Sequence, residues 1–247
     1  MSENLKAKPS IQLSVSRTGL LEAFKDIFIW LGTLLLILTF SIACALAFWF
    51  IRAKIGDSIA VSYYAYVVWL DSLIFGTIPS LWFQVNLKSD SLDVFFRWVW
   101  FTYLYTIIFG GSFIFIIKGE VYRYLTAIII VLSIALVIHY FVPTQPPWMC
   151  VEGVMRIDGE RFTDADKNLV AAMPSVHQAV VGVLGLAIWK FGLYGKFFAV
   201  THNVMMAAAL AYLGEHFVVD SIAGIILALF SWYITKHIII MLNKSKP

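Results

Sequence analysis

Long apolar runs separated by short polar segments make up most of this chain, and the first run is uninterrupted over residues 27–51. Five further runs cover residues 95–117, 121–142, 174–191, 197–213 and 217–241. A helix of about 20 apolar residues is long enough to cross the hydrocarbon core of a bilayer. The pattern therefore predicts an all-α integral membrane protein, with one six-helix transmembrane domain over residues 27–241 and polar tails at 1–26 and 242–247.

The segment 58–87 interrupts this regularity, because it is apolar yet contains Asp71, Gly76 and Pro79. A central aspartate costs about 2.5–3.5 kcal/mol on membrane insertion scales, and a proline breaks the hydrogen-bond ladder of a helix. We therefore expect interfacial or re-entrant broken helices between spans 1 and 2. Outright crossing of the membrane is the alternative.

Composition supports the membrane interpretation. Hydrophobic residues make up 61% of the 247 positions, and charged residues 13%, whereas soluble domains carry roughly 25% charged residues. The net charge of +3 comes without a basic run suited to nucleic acid. Cys44 falls in a predicted span and Cys150 in a loop, so neither a structural disulfide nor a cysteine-based metal site is expected.

The distribution of Lys and Arg predicts the orientation. With both termini cytoplasmic, most of the 18 Lys and Arg residues lie on the cytoplasmic side. The run at 27–51 is too long for the core of a signal peptide, so we expect an uncleaved first span. Loops 143–177 and 215–220 are two spans apart and open on the same side in either topology, which is the external or lumenal face in this orientation.

Two histidines and one aspartate at predicted helix ends form the candidate reaction centre. His216 and Asp220 are four residues apart, on one face of a helix. The aspartate can fix the tautomer of the imidazole and direct its other nitrogen toward a phosphorus atom. His177 begins a different helix and could protonate the leaving oxygen from the far side of the phosphate. His216 must then be neutral and His177 charged.

The start of the helix that carries His177 is a candidate phosphate site. Pro174 suits the first turn of a helix, and the following N–H groups, from Ser175 onward, lack intrahelical partners. Such donors at a helix N-terminus bind phosphate readily. The Ser175 hydroxyl could stabilise the charge that develops in the transition state.

Other interpretations of these residues remain open. His216 and Asp220 could be an ordinary interfacial pair, or they could bind zinc together with His177. His139 precedes the proline-rich stretch and could line the pocket. A transporter or scaffold would need a polar pathway through the membrane midplane or an inverted repeat, and the sequence contains neither.

The motifs 174–177 (Pro-Ser-Val-His) and 216–220 (His-Phe-Val-Val-Asp) resemble the second and third motifs of the type 2 phosphatidic acid phosphatase superfamily. The stretches 143–148 and 172–177, together with 71–80, are similar to the branch that contains the fungal inositol phosphorylceramide synthases. The resemblance extends over about residues 71–224 and leaves out the first span.

This resemblance implies a six-helix membrane enzyme that works without a metal or other cofactor. His216 would become a phosphohistidine, Asp220 would orient it, His177 would protonate the leaving group, and Ser175 would hold the phosphate. The substrate would be a membrane lipid phosphoester. The acceptor would be water or the hydroxyl of a second lipid or polyol, and a dedicated polyprenyl-diphosphate or phosphatidate phosphatase is the alternative.

The chain also departs from the superfamily pattern. The first motif, a Lys followed by Arg-Pro, is replaced by the proline-rich stretch, and Leu210 occupies the position of an arginine in the third motif. Two phosphate-binding cations are thus missing. The candidate substrate-binding and phosphate-binding residues, besides Ser175, are Pro174, Gln145, Trp148, Arg156, Arg161 and Lys167. The sequence leaves the lipid, the acceptor and the oligomeric state open.

Overall fold

The computed structural model describes residues 17–117, 121–157 and 168–244, and within these ranges the regular structure is helical. The helices are α1 (Arg17–Ser58), α2 (Ala65–Phe75), α3 (Pro79–Leu87), α4 (Asp90–Ile116), α5 (Val121–Phe141), α6 (Pro147–Cys150), α7 (Val176–Ile188), α8 (Gly192–Tyr212) and α9 (Val218–Lys244). Of the described residues, 17–36, the first part of α1, belong to one compact unit. Residues from Ile37 onward form a second unit, which contains the site described below.

A helix forms at each of the six predicted apolar runs, but the count of six membrane spans is not confirmed. Four helices are long and apolar enough to cross a bilayer, namely Phe24–Ser58 within α1, α4, α5 and Val218–Leu242 within α9. Helix α7 has only 13 residues, which is about 20 Å of helix against a core about 30 Å thick. Helix α8 has the length, but it falls outside this apolar class.

The broken helix predicted for residues 58–87 is confirmed. Helices α2 and α3 meet at a bend of 65°, and counting them as one broken span would raise the number of spans to five. Gly76 ends α2 with φ = 70°, a left-handed conformation that favours glycine. Pro79 starts α3 at a position where its missing N–H costs nothing.

The short helix α7 is buried because longer helices surround it. It packs against α4, α5, α8 and α9, and its valines and alanines join one apolar core with residues of α5 and α9. At Gly182 an added Cβ would lie 2.8 Å from the Cβ of Ala228, so glycine permits the close approach of α7 and α9. This packing brings the first turn of α7 next to the first turn of α9.

The proline-rich stretch ends α5 and then runs between two other segments. Tyr63 N donates to Pro143 O at 2.8 Å, and Gln145 N donates to Tyr63 O at 2.9 Å. On the other side, Thr144 N donates to Val170 O at 2.7 Å, and Ala172 N donates to Thr144 O at 3.2 Å. These hydrogen bonds join the loops before α2, α6 and α7 to one another.

Candidate active site

His177 and His216 are 39 positions apart in the sequence, and their side chains are in direct contact. His177 Nδ1 lies 3.1 Å from His216 Nε2, so one nitrogen donates to the other. On the far side of its ring, His216 Nδ1 lies 3.5 Å from Asp220 Oδ2, which is long for a hydrogen bond. The three side chains thus form a row, Asp220–His216–His177. The prediction that these residues meet is confirmed.

Two carboxylates hold the start of α9, which follows His216 directly. Asp71 accepts hydrogen bonds from Val219 N at 2.9 Å and from Val218 N at 3.1 Å. Asp220 Oδ2 accepts from Phe217 N at 2.9 Å. N–H groups at a helix start have no intrahelical partners, and negative charge there is favourable. The charge of Asp71, costly in an apolar segment, therefore serves to position α9.

A glycine turn links α8 to the site. Gly214 has φ = 76°, and an added Cβ would lie 2.6 Å from Met155 O, so both its conformation and its surroundings require glycine. After this turn, Glu215 N and His216 N both donate to Leu210 O, at 3.0 and 3.2 Å. The main chain of His216 is therefore fixed against the last turn of α8.

The start of α7 differs from the predicted phosphate cradle. Ser175 precedes the helix, and its hydroxyl accepts from Gln178 N at 3.3 Å. Its main-chain N–H donates to Asp220 O at 3.0 Å. The expectation that this N–H is open to phosphate is therefore wrong, because the first turn of α9 already occupies it. Gly224 makes this contact possible, since a Cβ there would lie 2.5 Å from Ser175 O.

A cavity of about 370 Å³ opens onto the two histidines. Its walls are largely apolar and come mainly from α1 and α4, with Phe48, Trp49, Ala53, Trp100, Phe101, Tyr103, Leu104 and Ile107. Among the described residues, its ionisable side chains apart from Tyr103 are Arg52, His139, Arg156, His177, Glu215 and His216. The cavity can therefore hold an anionic group at the imidazoles with an apolar chain beside it.

The predicted binding residues are distributed unevenly around this cavity. Trp148 and Arg156 line it. Arg156 Nε donates to Glu215 Oε1 at 2.6 Å, and its guanidinium carbon lies 5.1 Å from the centre of the Trp148 ring. Gln145 instead donates to Ser62 Oγ at 2.8 Å, and Pro174 O accepts from the ring of His139 at 3.2 Å. Arg161 and Lys167 lie outside the described residues.

Arg52 is a cavity residue that sequence reasoning missed. It lies one position beyond the apolar run 27–51, where an arginine is an ordinary helix end in a membrane protein. In the structure its Nη2 donates to Asn168 O at 2.7 Å, and Asn168 Nδ2 donates back to Arg52 O at 3.1 Å. The family motifs begin after α1 and gave no signal for it.

His139 does line the cavity, as proposed for it. It is buried, and its Nε2 must donate to the Pro174 carbonyl because a carbonyl can only accept.

The zinc interpretation gains no support, since among the described residues no group of three or more His, Cys, Asp or Glu side chains could hold a metal ion.

Comparison with known proteins identifies the fold and the family of this chain. In fold, the chain is similar to the crystal structure of Aquifex aeolicus LpxE, with a TM-score of 0.56 and 19% sequence identity over 72% of this chain and 99% of that one. A search of curated protein sequences finds no match. The model of the PAP2 superfamily matches residues 65–234, a range that includes His177, His216 and Asp220. The match covers more than half of the chain, which therefore belongs to the PAP2 superfamily, the type 2 phosphatidic acid phosphatases.

Proposed function

We propose that this protein is a membrane lipid phosphatase that cleaves a lipid phosphoester through a phosphohistidine on His216. The observation that carries the proposal is the row Asp220–His216–His177, whose two histidines line an apolar-walled cavity. Membership of the PAP2 superfamily supports the same class of reaction. A lipid tail suits the apolar walls, and its phosphate suits the cationic and imidazole groups that also line the cavity.

In the first step, His216 Nε2 attacks phosphorus, and the N–P bond forms as the bond from phosphorus to the leaving oxygen breaks. Asp220 accepts from His216 Nδ1–H and stabilises the positive charge that develops on the ring. His177, charged at this stage, gives its proton to the leaving oxygen. In the second step, neutral His177 takes a proton from water, the water oxygen attacks phosphorus, and the N–P bond breaks.

The contact between the two imidazoles has to open before this chemistry starts. The attacking nitrogen, His216 Nε2, is 3.1 Å from His177 Nδ1, which leaves no room for a phosphoryl group between them. The mechanism expected from the sequence places a phosphate between the two imidazoles, whereas in the structure the rings touch. A hydrogen bond of this kind contributes about 0.5–1.5 kcal/mol net, so the contacts of a bound phosphate can replace it.

The phosphate would be held by Arg156, with Trp148 beside it, because both line the cavity. The Ser175 hydroxyl is buried and accepts from Gln178 N, and it stays a candidate contact. Gln145, Pro174, Arg161 and Lys167 remain candidates for substrate contact. We further propose that both termini are cytoplasmic and that the site faces the external or lumenal side, on the strength of the Lys and Arg distribution. The reaction as written needs no metal ion.

The second part of the proposal concerns the group that accepts the phosphoryl group. The acceptor is either water, which gives hydrolysis, or a lipid or polyol hydroxyl, which gives transfer as in the inositol phosphorylceramide synthase-like branch. Purified protein would be incubated with labelled phosphatidate or polyprenyl diphosphate, with and without candidate alcohols. We expect free phosphate as the main product, and a new lipid phosphodiester would indicate transfer instead.

A transporter or scaffold is the alternative to both enzymatic functions. It would replace them if folded His177→Ala and His216→Ala proteins retained every measurable activity.

A further inference from the structure

The cavity at the two histidines extends along α4. The centre of the Trp100 ring lies 5.5 Å from that of the His177 ring, and Leu104 and Ile107, further along the same helix, also line the cavity. Ile107 lies two helical turns beyond Trp100, which is about 10 Å along the helix axis. The cavity is therefore long enough to hold a part of the substrate that does not touch the imidazoles.

Helix α1 provides a second wall of the same cavity. The residues of α1 that line it are Phe48, Trp49, Arg52 and Ala53. Their spacing of three and four residues is that of one helix face. Phe48 is buried, whereas Trp49 is partly open, with 39% of its surface exposed. One face of α1 is thus turned to the cavity over more than one helical turn.

The two helices are in contact where the cavity ends along α4. A Cβ added at Gly111 would lie 3.0 Å from Ile37 Cγ2 and 3.6 Å from Ser41 Oγ, so α1 lies directly on α4 at this glycine. One turn away, at Ile107, both helices already line the cavity. We call the apolar space between them the α1–α4 cleft. Its walls are Phe48, Trp49 and Ala53 on α1 and Phe101, Leu104 and Ile107 on α4.

The chemistry of the α1–α4 cleft suits a hydrocarbon chain. A polar group among these side chains would lose its hydrogen bonds to water, which is unfavourable, whereas an apolar chain gains by leaving water. The cleft lies between two of the helices that are long and apolar enough to cross a bilayer. The same cavity contains His177 and His216, so a molecule with its phosphate at the imidazoles has the cleft beside it for its tail.

We propose that the α1–α4 cleft binds the tail of the lipid substrate and that Ala53 and Leu104 determine which tails fit. Both side chains are partly buried and line the cavity, one on each helix. The methyl group of Ala53 leaves room that a larger side chain would fill. Helix α1 precedes residues 65–234, the range matched by the family model, so the tail is selected by a helix outside that range. This inference rests on the proposed function and deepens it.

The first test reduces the width of the cleft from either wall. Ala53→Phe and Leu104→Trp are compared on palmitoyl and butyryl phosphatidate, which share a headgroup and differ in tail length. We expect the ratio of kcat/KM for the long ester to that for the short ester to fall about 10-fold to 100-fold in each variant, because the added ring occupies the place of the tail. Ala47→Phe is the matched control, since Ala47 is an exposed alanine of the same helix, and its ratio should equal that of the unsubstituted protein.

The second test locates the tail without any substitution. The unsubstituted protein in detergent micelles is irradiated with a phosphatidate that carries a diazirine at the end of its acyl chain, and the labelled peptides are identified by mass spectrometry. We expect label on residues 48–53 and 100–107 that excess palmitoyl phosphatidate displaces. Displaceable label on other residues alone would overturn the inference, even if both cleft variants failed to fold.

The outcomes distinguish the tail site from the proposed function. An unchanged ratio in folded Ala53→Phe and Leu104→Trp proteins, while the unsubstituted protein releases phosphate from lipid, overturns the role of the cleft and leaves the function standing. If the unsubstituted protein releases phosphate from no lipid ester, yet displaceable label still falls on both walls of the cleft, the proposed function is wrong and the tail site stands.

Discussion

The two histidines that meet at the site are held in different ways. His216 is 4% exposed, its main chain is hydrogen-bonded to α8, and Asp71 binds the start of the helix that follows it. His177 is half-buried, and its ring lies against two rings of α4, with centroid distances of 4.2 Å to Tyr103 and 5.5 Å to Trp100. Hydrogen bonds impose direction, whereas ring packing fixes position and leaves more freedom to turn.

This difference matches the two proposed roles. A nucleophile must stay in line with its orienting carboxylate throughout the reaction. The proton donor has to leave His216 Nε2 when the phosphoryl group binds and then follow the leaving oxygen. We therefore expect the substrate to open the imidazole pair by moving His177, while His216 stays where α8 and α9 hold it.

The largest loss of activity is expected from a change at His216, the histidine that α8 and α9 hold in place. His216→Ala removes the attacking nitrogen, and we expect kcat on a lipid phosphate to fall at least about 1,000-fold. His237→Ala is the matched control, because it is an exposed histidine near the other end of α9 whose ring packs on Tyr233. It should retain normal activity. Equal activity in the two variants would remove His216 from the reaction.

The loss of activity on changing His177, the histidine that is expected to move, should depend on the leaving group of the substrate. His177→Ala removes the proton donor, so we expect kcat to fall about 100-fold to 10,000-fold with an alkyl leaving group. With nitrophenol, which leaves without protonation, formation of the phosphoenzyme should be affected far less. Rapid-quench kinetics on the two ester types measures this. The same loss of phosphoenzyme formation with both esters would mean that His177 only positions the substrate.

The next largest effect tests how α9 is held. Asp71→Asn removes the negative charge of this side chain and one of its two oxygens, which accept from two main-chain N–H groups at the start of α9. We expect a loss of about 1–3 kcal/mol in the free energy of unfolding. The resulting shift of His216 should lower kcat about 10-fold to 100-fold. Asp57→Asn, at an exposed pair with Lys54, should cost about 0–1 kcal/mol. Thermal unfolding in detergent compares them, and an equal loss would contradict the role of Asp71.

The smallest effect concerns the rings around His177. Tyr103→Leu removes an edge-to-face contact but keeps the position apolar, so we expect kcat to change about twofold to tenfold. Phe109→Leu, a ring on the same helix that packs on Tyr105, is the control. If the Tyr103 variant lost as much activity as His177→Ala, the freedom assigned to His177 would be wrong.

Much of the fold follows from the apolar runs and from the glycine and proline residues that interrupt them. The run lengths predict the helices, and Gly76 with Pro79 predicts the break between α2 and α3. The span count could not be predicted because α7 is too short for a bilayer and is buried by its neighbours, a property of packing that run length does not contain.

Only part of the site could be predicted, because the sequence does not show which distant segments come into contact. The sequence predicted that His177, His216 and Asp220 form one centre, and the structure brings their side chains together. Other contacts between distant segments were not predicted, since nothing in the sequence connects Arg52 with Asn168 or Asp71 with the start of α9. The Ser175 N–H was assigned wrongly for the same reason, because its partner, Asp220 O, is 45 positions away.

The central claim is that His216 carries the phosphoryl group during turnover, and the most direct measurement is to trap it. Protein would be mixed with a phosphate-labelled lipid ester, quenched in base to preserve phosphohistidine, and digested for mass spectrometry. We predict an acid-labile phosphate on His216 that is absent in His216→Ala and accumulates in His177→Ala with a nitrophenyl ester. Phosphate on another residue, or hydrolysis in a single turnover without any protein-bound phosphate, would contradict the account.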